Sequence, residues 1–317
     1  MPEGQNRALC QERFRPATIF DGKRQGFLNM AFFDFLKRRH KNPRQELLGL
    51  LEGYELPSFP VAVMRVLEML RDPEAPLDKI AELVTADPGM HIMVLKTVNS
   101  AAFGLTKKIS NVKHAITLLG KARLETLILP FAVKHSLPSS GYTCFDAGRF
   151  WLASARRGCM AGYLAEKINP SIRMESFTGG LLQDMAVPVI SAVKESDYCT
   201  LIDQWNRDSS VNLKQLERDS IGFDHQAIGA LMAEEWGFPD FLTRAILEHH
   251  EDIVPGDTLA PVKLASCLRY CQDVEEKELK DFMSGFIHEK TSLPEDVLVE
   301  VIDRAFDDAS EFAAMFG

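Results

Sequence analysis

With 317 residues, 46% hydrophobic and 26% charged, the chain has an ordinary globular balance: long for one compact domain, short for three, and able to bury a sizeable core without disulfide staples. Its net charge of -9 is uneven, since residues 1–45 hold ten Lys/Arg against four Asp/Glu, a charge of +6, leaving -15 for the remainder; an acidic body argues against the broad basic footprint of a nucleic-acid binder. No apolar run reaches the ~18 residues of a membrane span, "MPEGQNRALCQERF" lacks the apolar core of a secretory signal, and six cysteines without a CxxC pair predict buried free thiols in a reducing, cytoplasmic setting.

Residues 1–25 are polar and turn-rich. "GFLNMAFFDFLKRRHKNP" then crowds Phe27, Met30, Ala31, Phe33 and Phe35 at one end and Lys37, Arg38, Arg39 and Lys41 at the other. This predicts a helix with cations in its last turn, stopped by Pro43, docked by its Phe-rich face with the basic end solvated. A membrane-surface or partner-binding arm is the alternative. "PVAVMRVLEMLRD" places Val63, Val66, Leu67 and Leu70 on one face, and "LDKIAELVTA" does the same with Leu77, Ile80, Ala81 and Val84. Asp87-Pro88 reads as an N-cap with proline at the first helical position. The helix it opens carries Met90, Met93, Val94 and Val98 into "NSAAFG", Asn99 to Gly104. In "KKISNVKHAITLLG" Ser110 is the expected cap and Gly120 the stop, after which Leu124, Leu127 and Ile128 continue the apolar stripe into "LILPFAVK". "LPSSGYTCFDAG", rich in turn formers, marks a boundary. Beyond it, "RFWLASARRGCMAGYLAEKI", "FTGGLLQDMAVPVISAV", "GFDHQAIGALMAEEWGFP" and "FLTRAILEHHED" each read as one helix, with Asp224 as a cap in the third. "LAPVKLASCLRYCQ" and "LPEDVLVEVIDRAFDDASEFAAMF" add two more. Strand and hairpin signals are nearly absent, so the expected class is all-α.

Few titratable groups sit where chemistry could be done: Asp184, His225 beside Asp224, and the pair His249-His250. A metal needs three or four such side chains converging, and neighbouring helical residues diverge by about 100°. The plain structural reading places His249 and His250 at a helix C-terminus, bonded to free carbonyls, and His225 at a helix start, bonded to backbone. Spacing alone leaves both readings open. The stretch from Pro76 to Ser100 has the outline of a helix-turn-helix, but its second helix offers one basic residue, Lys96, where a recognition helix needs several polar ones. There is no GxSxG elbow, P-loop or dinucleotide fingerprint.

"ELPSFPVAVMRVLEML", "ADPGMHIMVLKTVNSAAFG", "KISNVKHAITLLG", "GGLLQDM", "GFDHQAIGALMAEEWGFP" and "ILEHH", in this order, resemble the HDOD domain from Leu47 to Asp252. That family belongs to the HD superfamily, named for metal-dependent phosphohydrolases. The resemblance implies two packed helical subdomains, residues 46–136 and an HD-like 145–255. They form one domain, 46–255, with a basic helical extension, 1–45, and an acidic helical one, 256–317. It implies that an active relative would carry His where this chain has Ala153 and Gln183, Asp where it has Ser266, and Lys near Val187. Asp184, His225, His249 and His250 stand where the HD-GYP branch has ligands. With a weak neutral amide at Gln183 and two other donors missing, the set is vestigial, no cofactor is expected beyond adventitious divalent metal, and Gln183-Asp184 becomes a satisfied polar pair that fixes helix packing. The implied role is a non-catalytic bacterial regulatory module binding kinase, receiver or cyclic-di-GMP signalling proteins. Its rivals are a divergent phosphohydrolase or cyclic-dinucleotide phosphodiesterase using the four residues that remain, and a nucleic-acid-binding regulator.

Overall fold

The computed structural model describes residues 42–99, 108–138, 145–207, 211–268 and 275–314. The basic arm up to Lys41 and the stretch Ser100 to Gly104 lie outside the described residues. Among those described, every regular element is helical and no strand occurs, as the absence of alternation predicts. None of these helices is long and apolar enough to cross a membrane.

Helix α1, Pro43–Leu50, is capped by the Asn42 side chain, which accepts from Gln45 N at 3.1 Å. Pro43 therefore opens a helix here, since its missing N–H costs nothing in the first turn. Then come α2 (Val61–Arg71), α3 (Leu77–Ala86), α4 (Pro88–Asn99), α5 (Val112–Leu119) and α6 (Lys121–Ser136). The apolar stripes of α2, α3 and α4 are buried as their spacing predicts, except that Leu77, in the first turn of α3, is exposed. Asp87 caps α4, accepting from Met90 N at 2.9 Å. The cap of α5 is Asn111, accepting from His114 N at 2.8 Å, rather than Ser110; a cap bonds the N–H two or three residues on, so the helix start selects Asn111. Gly120 joins α5 to α6 with φ +79°, a region that disfavours any Cβ. The face of α4 carrying Met90, Met93, Val94 and Val98 packs into the core against α6.

The second half opens with α7, Ala147–Ile168, capped by Asp146. It continues through α8 (Arg173–Leu182), α9 (Val187–Val193), α10 (Glu195–Arg207), α11 (Leu213–Ile221), α12 (His225–Glu235), α13 (Asp240–Glu248) and α14 (Ala260–Ala265). Helices α15 (Glu276–Thr291) and α16 (Glu295–Ala313) complete it. The expected single helix over "FTGGLLQDMAVPVISAV" is two, α8 and α9, joined by a turn at Gln183–Ala186. Sequence reading also passed over α10, α11 and α15, whose charged faces mask a narrow apolar stripe.

Helices α7 and α8 pack very closely. A Cβ on Gly180 would stand 2.7 Å from the Arg157 carbonyl oxygen, and one on Gly158 would stand 3.0 Å from that of Phe177. Helix α8 also touches α6 and so ties the two halves together. Pro130 lies inside α6. Proline has no N–H, so the Thr126 carbonyl loses its helical partner; the Thr178 hydroxyl of α8 donates to it at 3.3 Å. Further ties are Arg71 Nη2, donating to Gly237 O at 2.8 Å, and Phe59 against Trp236 with centroids 4.8 Å apart. Helix α1 packs on α12. Helix α16 buries Leu298, Val301, Ile302, Phe306 and Phe312 against α7, where Asp308 accepts from Tyr163 and the Arg304 guanidinium lies 4.3 Å over the Tyr163 ring. Cys159 and Cys267 are free thiols, but Cys199 is disulfide-bonded, so thiols throughout do not hold.

Candidate functional site

Three helix termini meet where α8 ends. Helix α8 stops at Leu182, and Asp184 sits in the following turn, its carbonyl accepting from Val187 N at 2.9 Å. Asp224 caps α12 by accepting from Ala227 N at 2.8 Å, which puts His225 in the first turn. Helix α13 ends at Glu248, and His249 and His250 follow. One ligand atom from each of Asp184, His225, His249 and His250 lies within 4.8 Å of the others. The structure thus brings together all four residues that the sequence singled out.

The histidines are oriented from behind. His225 Nδ1 lies 2.7 Å from Glu217 Oε2, which also accepts from the His225 backbone N at 3.0 Å. The bond is to a buried carboxylate on α11, where sequence reasoning expected backbone. Tyr198 on α10 donates to the other Glu217 oxygen at 2.6 Å. His249 Nδ1 lies 2.7 Å from the Ile246 carbonyl, the C-terminal bond that its position predicts. With both Nδ1 atoms engaged, the two Nε2 atoms face each other at 3.2 Å. Asp184 Oδ1 lies 3.1 Å from His249 Nε2 and 3.6 Å from His225 Nε2. The His250 ring lies against both, with centroids 4.1 Å from His249 and 5.2 Å from His225.

The other Asp184 oxygen is taken. Arg157 Nη1 meets Oδ2 at 2.7 Å, and the guanidinium also donates to Leu268 O at 3.3 Å and Ser154 Oγ at 3.4 Å. Arg157 is 3% exposed. Sequence reasoning missed it, although it stands four residues after Ala153 and so on the same face of α7. Glu217 gave no signal at all, because nothing local marks a buried glutamate on a charged helix.

Burial opposes the Asp184 charge, but Arg157, followed by His249, outweighs it and holds the carboxyl well below the usual range. Burial likewise opposes a proton on His225, yet Glu217 outweighs it and carries the imidazole up to about 9. Burial dominates at His249 and lowers it. Desolvation, then the charges of His249 and His225, hold His250 well below an ordinary histidine, although the residue reaches the surface.

The positions where the resemblance implies further ligands hold no imidazole or carboxylate. Ala153 is a buried methyl. The Ser266 hydroxyl donates to Lys263 O at 2.7 Å within its own helix. Gln183 is 0% exposed, and neither amide atom has a partner among the described residues, so it is not the satisfied member of a polar pair. For a single divalent cation the donors do fit. Two Nε2 atoms and Asp184 Oδ1 span edges of 3.1–3.6 Å, close to the ~3.3 Å edge of a tetrahedron with ~2.05 Å bonds. Glu217 supports His225 in the way metal-bound histidines are supported.

Comparison with known proteins follows the same line. A family profile, HDOD domain, matches residues 56–252. A structure described provisionally as a phosphohydrolase, from Shewanella amazonensis SB2B, shares 20% identity at a TM-score of 0.65, covering 86% of this chain and 98% of that one. An HDOD domain protein of unknown function from Geobacter sulfurreducens shares 20% at 0.59, covering 86% and 99%. A provisionally named signal transduction protein of Marinobacter aquaeolei VT8 shares 18% at 0.57, covering 87% and 66%. At these identities the likeness is one of fold. An uncharacterized protein of Treponema pallidum (strain Nichols) is 24% identical over 198 residues, which are 62% of this chain and 38% of that protein. The chain therefore spans well under half the length of this curated relative. With a profile covering more than half of its length, on an all-α fold shared with an HDOD structure, the chain belongs to the HDOD domain family.

Proposed function

We propose that the chain is a non-catalytic signal-transduction module that acts in the cytoplasm by binding another signalling protein, of the kinase, receiver or cyclic-di-GMP class. One observation carries the reading: the three positions that would complete a hydrolytic centre hold a methyl, an unbonded neutral amide and a hydroxyl tied to its own helix. Family membership and the signalling description of the Marinobacter aquaeolei neighbour support it. In this role the remaining polar residues pin elements together. Asp184 joins the α8–α9 turn to α7 through Arg157, and Glu217 joins α11 to α12 through His225. The acidic body of the chain argues against the broad basic footprint of a nucleic-acid binder.

A second reading, a divergent metal-dependent phosphohydrolase, is favoured by the convergence of four donors. His225, His249 and Asp184 would hold the ion, with His250 alongside. When bound, a divalent ion supplies Lewis-acid polarisation of a phosphoryl oxygen and an activated water. Turnover of cyclic dinucleotides and generic phosphodiesters, with added manganese, iron or nickel, separates the two readings. The expected result is no turnover. Turnover that disappears in His249→Ala overturns the signalling reading in favour of the hydrolase.

A further inference from the structure

We propose that Arg157 is this centre's own cation: its guanidinium keeps a divalent ion out of the Asp184, His225 and His249 donors, and removing it opens a site for one metal. The inference rests on the non-catalytic reading and explains how such a centre holds together. Two carboxylates, Asp184 and Glu217, border the histidine pair, and Glu217 is fully buried. The third nearby acid, Asp224, is already matched by Arg218 at 2.6 Å. Two negative charges in a low-dielectric setting call for positive charge. A divalent ion would supply it in one piece; Arg157 supplies it to Asp184 from within the chain.

Three features make Arg157 a fixture. A guanidinium does not deprotonate in proteins, so its charge is permanent. It is gripped on three sides, by Asp184, Leu268 O and Ser154 Oγ. Its backbone is pressed against Gly180 of α8, which leaves α7 no room to shift. By holding Oδ2, Arg157 lowers the electron density that Oδ1 can offer, and its charge repels any ion beside Oδ1. The tetrahedral spacing of the other donors is therefore a latent site, with the right geometry and the wrong net charge.

The test uses the full chain with Co2+ alone, read by titration calorimetry and by the visible d–d bands of low-coordinate cobalt. Arg157→Met removes the charge at similar length. It is expected to bind one Co2+ per chain at least tenfold tighter than the wild type, and its lowered melting temperature should recover when Co2+ is added, because a ligand bound by the folded state alone stabilises it. Arg157→Lys keeps the charge and should bind as weakly as the wild type. Arg157→Met with His249→Ala should lose the gain. Wild-type protein that binds one Co2+ as tightly as Arg157→Met overturns the proposal, as does a variant with no gain. If Arg157→Met does not fold, Arg157→Gln takes its place; failure of both to fold even in Co2+ also overturns it, since a latent site would accept the missing cation. Tight wild-type binding without turnover defeats this proposal alone, whereas turnover defeats the reading beneath it.

Discussion

Replacing Asn99 by Ala removes three hydrogen bonds at once. The Asn99 side chain bonds both backbone groups of Ile109: its Oδ1 accepts from Ile109 N at 2.7 Å, and its Nδ2 donates to Ile109 O at 2.8 Å. The same Nδ2 donates to Leu95 O at 2.8 Å in the last turn of α4. Ile109 is buried, so water does not readily replace the lost partners. Each bond is worth about 1 kcal/mol net, and a buried backbone group left without a partner costs more. The expected loss is about 2–4 kcal/mol, or roughly 3–6 °C in melting temperature for a chain of this size. Asn99→Asp keeps the acceptor but turns a carboxylate oxygen toward two carbonyls, so it should melt no higher than the Ala variant. Thermal denaturation followed by circular dichroism reads both. A melting temperature within about 1 °C of wild type would refute the structural role, and lost partner binding at unchanged stability would make Asn99 part of an interface instead.

Three further outcomes are expected. Gly180→Ala should destabilise strongly, by about 3 kcal/mol or more of overpacking, because its Cβ would meet backbone at 2.7 Å rather than a flexible tip; a soluble variant with an unchanged urea midpoint would contradict the close α7–α8 contact. Deleting residues 1–45 removes the Asn42 cap and the first turn of a helix whose Leu47 is buried. Apolar surface on α12 should then be exposed and promote aggregation, and a monodisperse, equally stable deletion on size-exclusion chromatography would show that α1 is dispensable. Truncation after Ser292 strips α16 from α7, uncovering Phe177, which packs on Phe312 with centroids 4.8 Å apart. Rapid proteolysis of α7 is expected, and full protease resistance would show that α16 is an appendage.

Most helices were legible because their information is local. The i, i+3, i+4 spacing of Val63, Val66, Leu67 and Leu70 has one low-energy solution, an amphipathic helix with that face inside, and all four are buried. Asp87 and Asp224 announced caps because a short acidic side chain beside a helix start satisfies free N–H groups. The break at Gln183–Ala186 was not legible, since an apolar run stays apolar whether it forms one helix or turns a corner. Helices α10, α11 and α15 were hidden because charge on the exposed face dilutes a narrow buried stripe.

The candidate site divides in the same way. The sequence by itself determined which residues can donate: Asp184, His225, His249 and His250 are the titratable groups set at helix termini among apolar runs. Its resemblance to the HDOD domain implied that Ala153, Gln183 and Ser266 stand where an active relative would carry His, His and Asp. Only the tertiary structure decided that the Nε2 atoms of His225 and His249 meet at 3.2 Å, that Glu217 stands behind one of them, and that Arg157 occupies Asp184. These partners lie on α7, α11, α12 and the ends of α8 and α13. Their meeting depends on how closely the helices pack, with Gly180 pressed against α7. Spacing along a chain encodes the face of one helix, whereas a charge balance among several helices exists only once their axes have been brought together.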